Sequence, residues 1–412
     1  MSDTIAAPAP EPETVADETP RPPFVQRLAS VDAYRGFVMF LMMAEVLHFG
    51  GVARTHKDSP VWQFLAHHQE HVEWVGCSLH DMIQPSFSFL VGVALPFSIL
   101  SRRARGQSPL RMSVHAFWRA FLLVALGIFL RSTNSSQTNF TFEDTLTQIG
   151  LGYGFLFLLG FRPVRDQWIA LGLILVGYWA AFALYSPGTG YESSAYGVPK
   201  GWPHLASGFA AHWNKNANPA WAFDRWFLNL FPRQKPFEFN GGGYATLSFI
   251  PTLGTMILGL IAGGVLRQEK DSASKKVGTL IVIGVPILIL GWGLGELGVC
   301  PVVKRIWTPS WVLFSGGICF LMLAAFYTVV DLGGLRPLFF PLIVIGMNSI
   351  AAYCMSGLIK RFIQKSLTTH LGRDVFDALG HDFAPTLLGA SVLLVLWLIL
   401  FWMYRRRIFL RI

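Results

Sequence analysis

The chain has 412 residues, 52% of them hydrophobic and only 14% charged, with a mean hydropathy of +0.45 and a net charge of +9. A soluble domain carries about 25% charged residues, so this composition excludes a wholly water-facing surface and points to lipid as the solvent. The positive charge does not mark a nucleic-acid binder, because the basic residues sit in short clusters between apolar runs, as in cytoplasmic loops.

Residues 1–26 are rich in Ala, Pro, Glu and Thr and lack an apolar stretch. They read as a disordered cytoplasmic tail rather than a signal peptide. A single transmembrane domain is expected over 27–412. A spanning helix needs about 20 mostly apolar residues, and candidates fall at 33–53, 82–101, 114–131, 145–161, 167–185, 244–266, 277–297, 308–330, 337–359 and 384–404. The expected fold is therefore all-α, a polytopic membrane helix bundle of about ten helices. Gly259 and Gly263 form a small-xxx-small pair suited to close helix packing. Gly150, Gly152 and Gly154 lie within an apolar run with no preceding strand, so they read as packing residues and not as a phosphate loop. Counting Lys and Arg in short loops gives 17 on one side and 9 on the other, which predicts that both termini are cytoplasmic. Compact loops suggest a bacterial inner membrane.

Two outer loops stand out, 54–81 and 186–243. The second is dense in aromatics, among them Trp202, Trp213, Trp221, Trp226 and Phe237, and ends in Asn240-Gly241-Gly242-Gly243. Its aromatics favour an ordered cap, with ring faces that suit either a sugar or the membrane interface. The four cysteines give no disulfide framework. Cys77 and Cys300 both fall in outer loops, and a bond between them is open.

The densest polar cluster is His67-His68-Gln69-Glu70-His71, followed by Trp74, His80 and Asp81. Ser59 and Pro60 suit the start of a short interfacial helix, with His67 and His71 on one side of it. Three readings stand together: a histidine as general base or transient acyl carrier, a metal site using His67, His71 and a carboxylate, or a wetted helix without chemistry. Asp32 and Arg35 are placed to pair at the start of the first span. Glu45 lies deep in an apolar run, where a carboxylate needs a partner, and His48 is the nearest candidate. Asn348 interrupts another apolar run, as interhelical hydrogen-bonding residues do.

The segment Arg27-Leu-Ala-Ser-Val-Asp32-Ala-Tyr-Arg35-Gly36 resembles the RLxSxDxxRG opening of the heparan-α-glucosaminide N-acetyltransferase family. His71 to Phe87 resembles that family's HxxWxGxxxxDxxxPxF segment without gaps. Pro301, Lys304, Trp307, Thr308 and Ser310 resemble PxxKxxWTxS, and Gly346-Met347-Asn348-Ser349-Ile350 resembles GMNSI. The likeness runs over roughly 27–360. It implies a transmembrane acetyltransferase with cytosolic acetyl-CoA as donor, a sugar acceptor on the opposite side, and no metal. His71 carries over as the catalytic residue, with Asp81 orienting it. One position departs from the pattern. The family's Asn eleven residues after the Arg of its RG pair is Val46 here, flanked by Glu45 and His48, so an amine and a hydroxyl acceptor both stay open.

The candidate catalytic set is thus His71, Asp81, Glu45 and His48. Arg35, Arg102, Arg103 and Arg119 are placed to meet the phosphates of acetyl-CoA, with Asn348 as a possible oxyanion donor. Trp74, His80 and Asn240 are the candidate acceptor contacts. A homodimer is open. The rival class is a transporter for a small polar solute, which explains the helices and Glu45 equally well but would often show repeated halves, and none is evident.

Overall fold

The computed structural model describes residues 28–188 and 191–410; the expected tail at 1–26 lies outside them. The described chain is helical, and its one β-type contact is an isolated antiparallel bridge between Val75 and Val303. Its main helices, in order, are α1 (Ala29–Met43), α2 (Phe49–Thr55), α3 (Pro60–Gln69), α4 (Ile83–Ala104), α5 (Pro109–Ser132), α6 (Thr145–Leu159), α7 (Val164–Ala183), α8 (Pro219–Phe227), α9 (Phe249–Arg267), α10 (Ala273–Glu296), α11 (Pro309–Phe326), α12 (Phe340–Met347), α13 (Ser349–Leu358), α14 (Lys360–Leu371) and α15 (Ala384–Arg405).

Among the described residues seven helices are long and apolar enough to cross a membrane, or nine if each of two bent pairs counts as one span. The remaining expected segment, at 145–161, is the shorter apolar helix α6. The first span is not continuous. His48 takes a left-handed conformation (φ 52°) that ends the turn Ala44–Leu47, and α2 leaves at 47°. A non-glycine residue in that region is uncommon and breaks helical hydrogen bonding. The span at 337–359 is broken more sharply, by 80° between α12 and α13.

Local sequence sets the other starts. Ser108 accepts from Arg111 N ahead of Pro109, Asp144 from Leu146 N and Thr147 N, and Thr308 from Trp311 N ahead of Pro309. Such caps satisfy amides that a helix leaves unpaired. Ser59 and Pro60 do begin α3, although the Ser59 side chain makes no capping bond.

In lipid the apolar effect does not draw helices together, so close backbone contact must. A Cβ on Gly259 would sit 1.9 Å from the Phe89 carbonyl oxygen, and one on Gly263 2.4 Å from that of Val93. Any larger residue would push α9 off α4. The cap after α7 is seated on the bundle end that carries Trp74, Tyr178, Phe182, Trp213, Cys300 and Val303, which form one buried apolar cluster. Asp224 of α8 accepts from Thr246 N at 2.9 Å and ties the cap to the start of α9. Cys77 and Cys300 are both free thiols.

Candidate active site

The site is built where the cap, the α3–α4 loop and the α10–α11 loop meet. Helix α3 stops at Gln69 because Glu70 is extended. His71 therefore leaves the helical face expected to hold it beside His67, and Asp81 takes it up instead. Asp81 sits at the turn that opens α4, with a side chain only 1% exposed. Its Oδ1 accepts from His71 Nδ1 at 2.8 Å and pairs with Lys304 Nζ at 3.3 Å. Its Oδ2 accepts from Val72 N, Ser78 N and Ser78 Oγ at 3.0–3.2 Å. Every lone-pair direction of this buried carboxylate is thus used, as a buried charge requires.

An ionised carboxylate only accepts, so His71 Nδ1 carries the proton and Nε2 is left as the basic nitrogen. The imidazole is 36% exposed and lines a cavity of about 660 Å³. Lys304 Nζ lies 3.0 Å from His71 Nδ1. Burial, and then the Lys304 ammonium, hold the His71 imidazole below its ordinary pKa, with Asp81 opposing. Burial also brings Lys304 down to about 8. The ring is therefore neutral near pH 7, the state a general base needs.

Glu45 is partnered by His80, not by His48: His80 Nε2 lies 3.0 Å from Glu45 Oε1. The His80 ring stands 4.5 Å from the His71 ring, so Glu45, His80 and His71 form a row along the cavity. The Glu45 side chain is 46% exposed, and solvent access to this cavity is what makes a carboxylate tolerable within an apolar run. His48 faces a separate cavity next to it.

Trp74 is buried and donates from Nε1 to the Trp213 carbonyl at 3.2 Å. It anchors the cap. Asn240 lines the His71 cavity, and its Oδ1 accepts from Gly242 N and Tyr244 N. Two residues of the α10–α11 loop went unassigned in the sequence. Lys304 is one. Arg305 is the other: it donates to Gly242 O and Val72 O at 2.9 and 3.2 Å, stapling the cap to the His71 loop. Lys304 stands in the PxxKxxWTxS likeness, which names no role, and Arg305 falls at one of its unspecified positions. Glu143 also lines the cavity, and burial pushes its carboxyl up from the ordinary range.

Toward the opposite end of the bundle lies a second cavity of about 700 Å³. Arg35, Arg102 and Arg119 line it, joined by Arg105 and His115. Arg119 donates to Tyr153 Oη at 3.2 Å, while its buried Nε has no partner. Arg35 also pairs with Asp32 at 3.3 Å. Arg103 lies elsewhere, stacked over Phe161. Asn348 is wholly buried and engaged: its amide donates to Ile408 O, and its oxygen accepts from Leu410 N. It holds the chain after α15 into the α12–α13 break. The two cavities have Thr145 and Tyr353 in common.

No protein-family model matches the chain. Two curated proteins do. Heparan-alpha-glucosaminide N-acetyltransferase of Mus musculus is 26% identical over 375 residues, covering 79% of this chain and 53% of its own length. Its Homo sapiens counterpart is 27% identical over 369 residues, with 79% and 52% covered. The chain spans about half the length of the curated relatives it matches. With a multi-pass helical bundle and a match along most of its length, the chain is similar to the heparan-alpha-glucosaminide N-acetyltransferases.

Proposed function

We propose that this chain is a transmembrane acetyltransferase. It moves an acetyl group from cytosolic acetyl-CoA to an amino or hydroxyl group of a sugar on the extracytoplasmic side. In this reading residues 27–412 act as one domain of a bacterial inner membrane, with both termini cytoplasmic.

One observation carries the reading: a histidine held by a buried carboxylate in one cavity, with an arginine-lined cavity adjoining it through Tyr353 and Thr145. Arginine guanidinium groups match phosphate oxygens, and the unpartnered Nε of Arg119 is a donor that such an oxygen would satisfy. In this reading the thioester arm passes from the nucleotide end toward His71 beside Thr145 and Tyr353, which line both cavities. His71 Nε2 takes the proton as the acceptor nitrogen or oxygen attacks the acetyl carbon. A carbon–nitrogen or carbon–oxygen bond forms, the carbon–sulfur bond breaks, and the imidazolium returns its proton to the departing thiolate. If His71 itself is acylated first, the same nitrogen is the nucleophile. Asp81 holds the ring and its tautomer in either route, and Lys304 keeps it from being protonated too early.

Thermal unfolding of the purified protein tests the donor. Acetyl-CoA is expected to raise the midpoint, and Arg119→Ala to reduce that rise. No rise with either acetyl-CoA or CoA would remove the reading.

A further inference from the structure

A third cavity, of about 790 Å³, lies beside the His71 cavity and has Glu45 and Lys360 in common with it. Its rim carries Lys360, Arg361, Lys365 and Arg373. The side chains of these four make no hydrogen bond or close ion pair among the described residues, although the Lys360 ammonium acts on the Glu45 carboxylate, and Arg361, Lys365 and Arg373 are exposed. Arg361 and Lys365 are four apart on α14, hence on one face. The acids on the cavity wall are Glu45, which faces His80, and Asp377, which pairs with His381 at 3.2 Å. The opposite wall is apolar. It follows α15 from Ala384 to Val392, about 12 Å along a spanning helix at 1.5 Å per residue.

This placement runs against the usual charge bias. The four cations belong to the minority side of the short-loop count, where cations are disfavoured, and they hold nearly half of that side's nine. Unpaired cations gathered at the lip of an apolar furrow match an anion joined to a hydrocarbon chain. A free sugar would find little to hold in the furrow, and an uncharged lipid would leave the cations idle. We infer that this groove seats a phosphate-bearing lipid to which the acceptor sugar is joined. The phosphate lies on Arg361, Lys365 and Arg373, the chain lies along Leu388 and Val392, and the sugar passes Glu45 into the His71 cavity. From Glu45 the His71 ring is one imidazole away, across His80, a span that a single sugar ring covers. The inference rests on the acetyltransferase reading for the sugar's destination, but not for the lipid site itself.

The test uses the full chain in detergent and a C20 isoprenyl phosphate as probe, with the matching isoprenol and inorganic phosphate as the two comparison ligands. Binding is expected for the lipid phosphate and to be at least about tenfold weaker for either part alone. Arg361→Glu with Lys365→Glu is expected to weaken it at least about tenfold while the unfolding midpoint without ligand stays put. Raised salt is expected to weaken it as well. Equal binding of isoprenol and isoprenyl phosphate would overturn the inference, as would indifference to the charge reversal. A dimer that binds no lipid and becomes monomeric on charge reversal would also overturn it, giving the groove to a second copy of the chain. Acetyl-CoA stabilisation, measured on the same samples, separates the two claims. Lipid binding without it keeps the groove and sinks the transferase, and the reverse pattern sinks the groove alone.

Discussion

The two ends of the bundle solve opposite problems. Immediately around His71 the acidic and imidazole groups are partnered: Asp81 accepts from three residues and pairs with a fourth, Glu45 meets His80, and Arg305 clasps two carbonyls while its own buried Nε stays unpaired. At the other end several cations border an open cavity, and a buried donor of Arg119 has nothing to bond. A region whose groups satisfy one another is rigid and can hold a base in a fixed tautomer. A region with surplus positive charge is incomplete until an anion enters. Under the proposed function the difference would encode chemistry and donor binding separately, so mutations at the two ends should fail in different ways.

The largest effect is expected from His71→Ala, which removes the base. Transfer should fall by at least about 10³-fold with little change in acetyl-CoA binding. Loss of binding alone would contradict the contrast. Asp81→Asn should follow, with transfer down about 10²-fold or more, because the amide no longer fixes Nδ1–H. It should also cost about 3–5 kcal/mol of stability by stranding Lys304, read as a lowered unfolding midpoint.

Lys304→Met sharpens the comparison through pH. The ammonium lowers the His71 pKa, so its removal should raise that pKa, and the base should lose activity at a higher pH than in the parent. A rate–pH profile should show the acidic limb moving up by about one unit. A limb that moves down, or a uniform loss at every pH, would remove Lys304 from this role. Smaller still are the effects at the opposite end. Arg119→Ala should raise KM for acetyl-CoA about tenfold with kcat little changed. Arg103→Ala, stacked on Phe161 away from the cavity, should change KM by less than about threefold.

Much of this was legible in the sequence, for physical reasons. Apolar runs of spanning length give the helices away, and HxxWxGxxxxD places His71 and Asp81 ten residues apart, close enough for a loop to join them. What escaped was tertiary. Lys304 lies 233 residues from His71, and such a contact leaves no periodicity. Glu45 announced that it needed a partner, but His48, the nearby choice, is turned away by its own left-handed backbone, and His80 answers from 35 residues on. Asn348 showed as a polar break in an apolar run. Its spacing could not reveal that its hydrogen bonds go to Ile408 and Leu410. Of the expected arginine set, Arg35, Arg102 and Arg119 line one cavity, while Arg103 is stacked elsewhere because its neighbour Arg102, on a different face of the same helix, is the one that meets the cavity.

The central claim concerns direction, and it can be read directly in sealed proteoliposomes with the protein oriented one way. Acetyl-CoA bearing a labelled acetyl group is placed on the side of the arginine cavity, and glucosamine only on the side of His71. Labelled acetylglucosamine on the His71 side, absent with His71→Ala, is the predicted result. Transfer only when donor and acceptor share one side would contradict it.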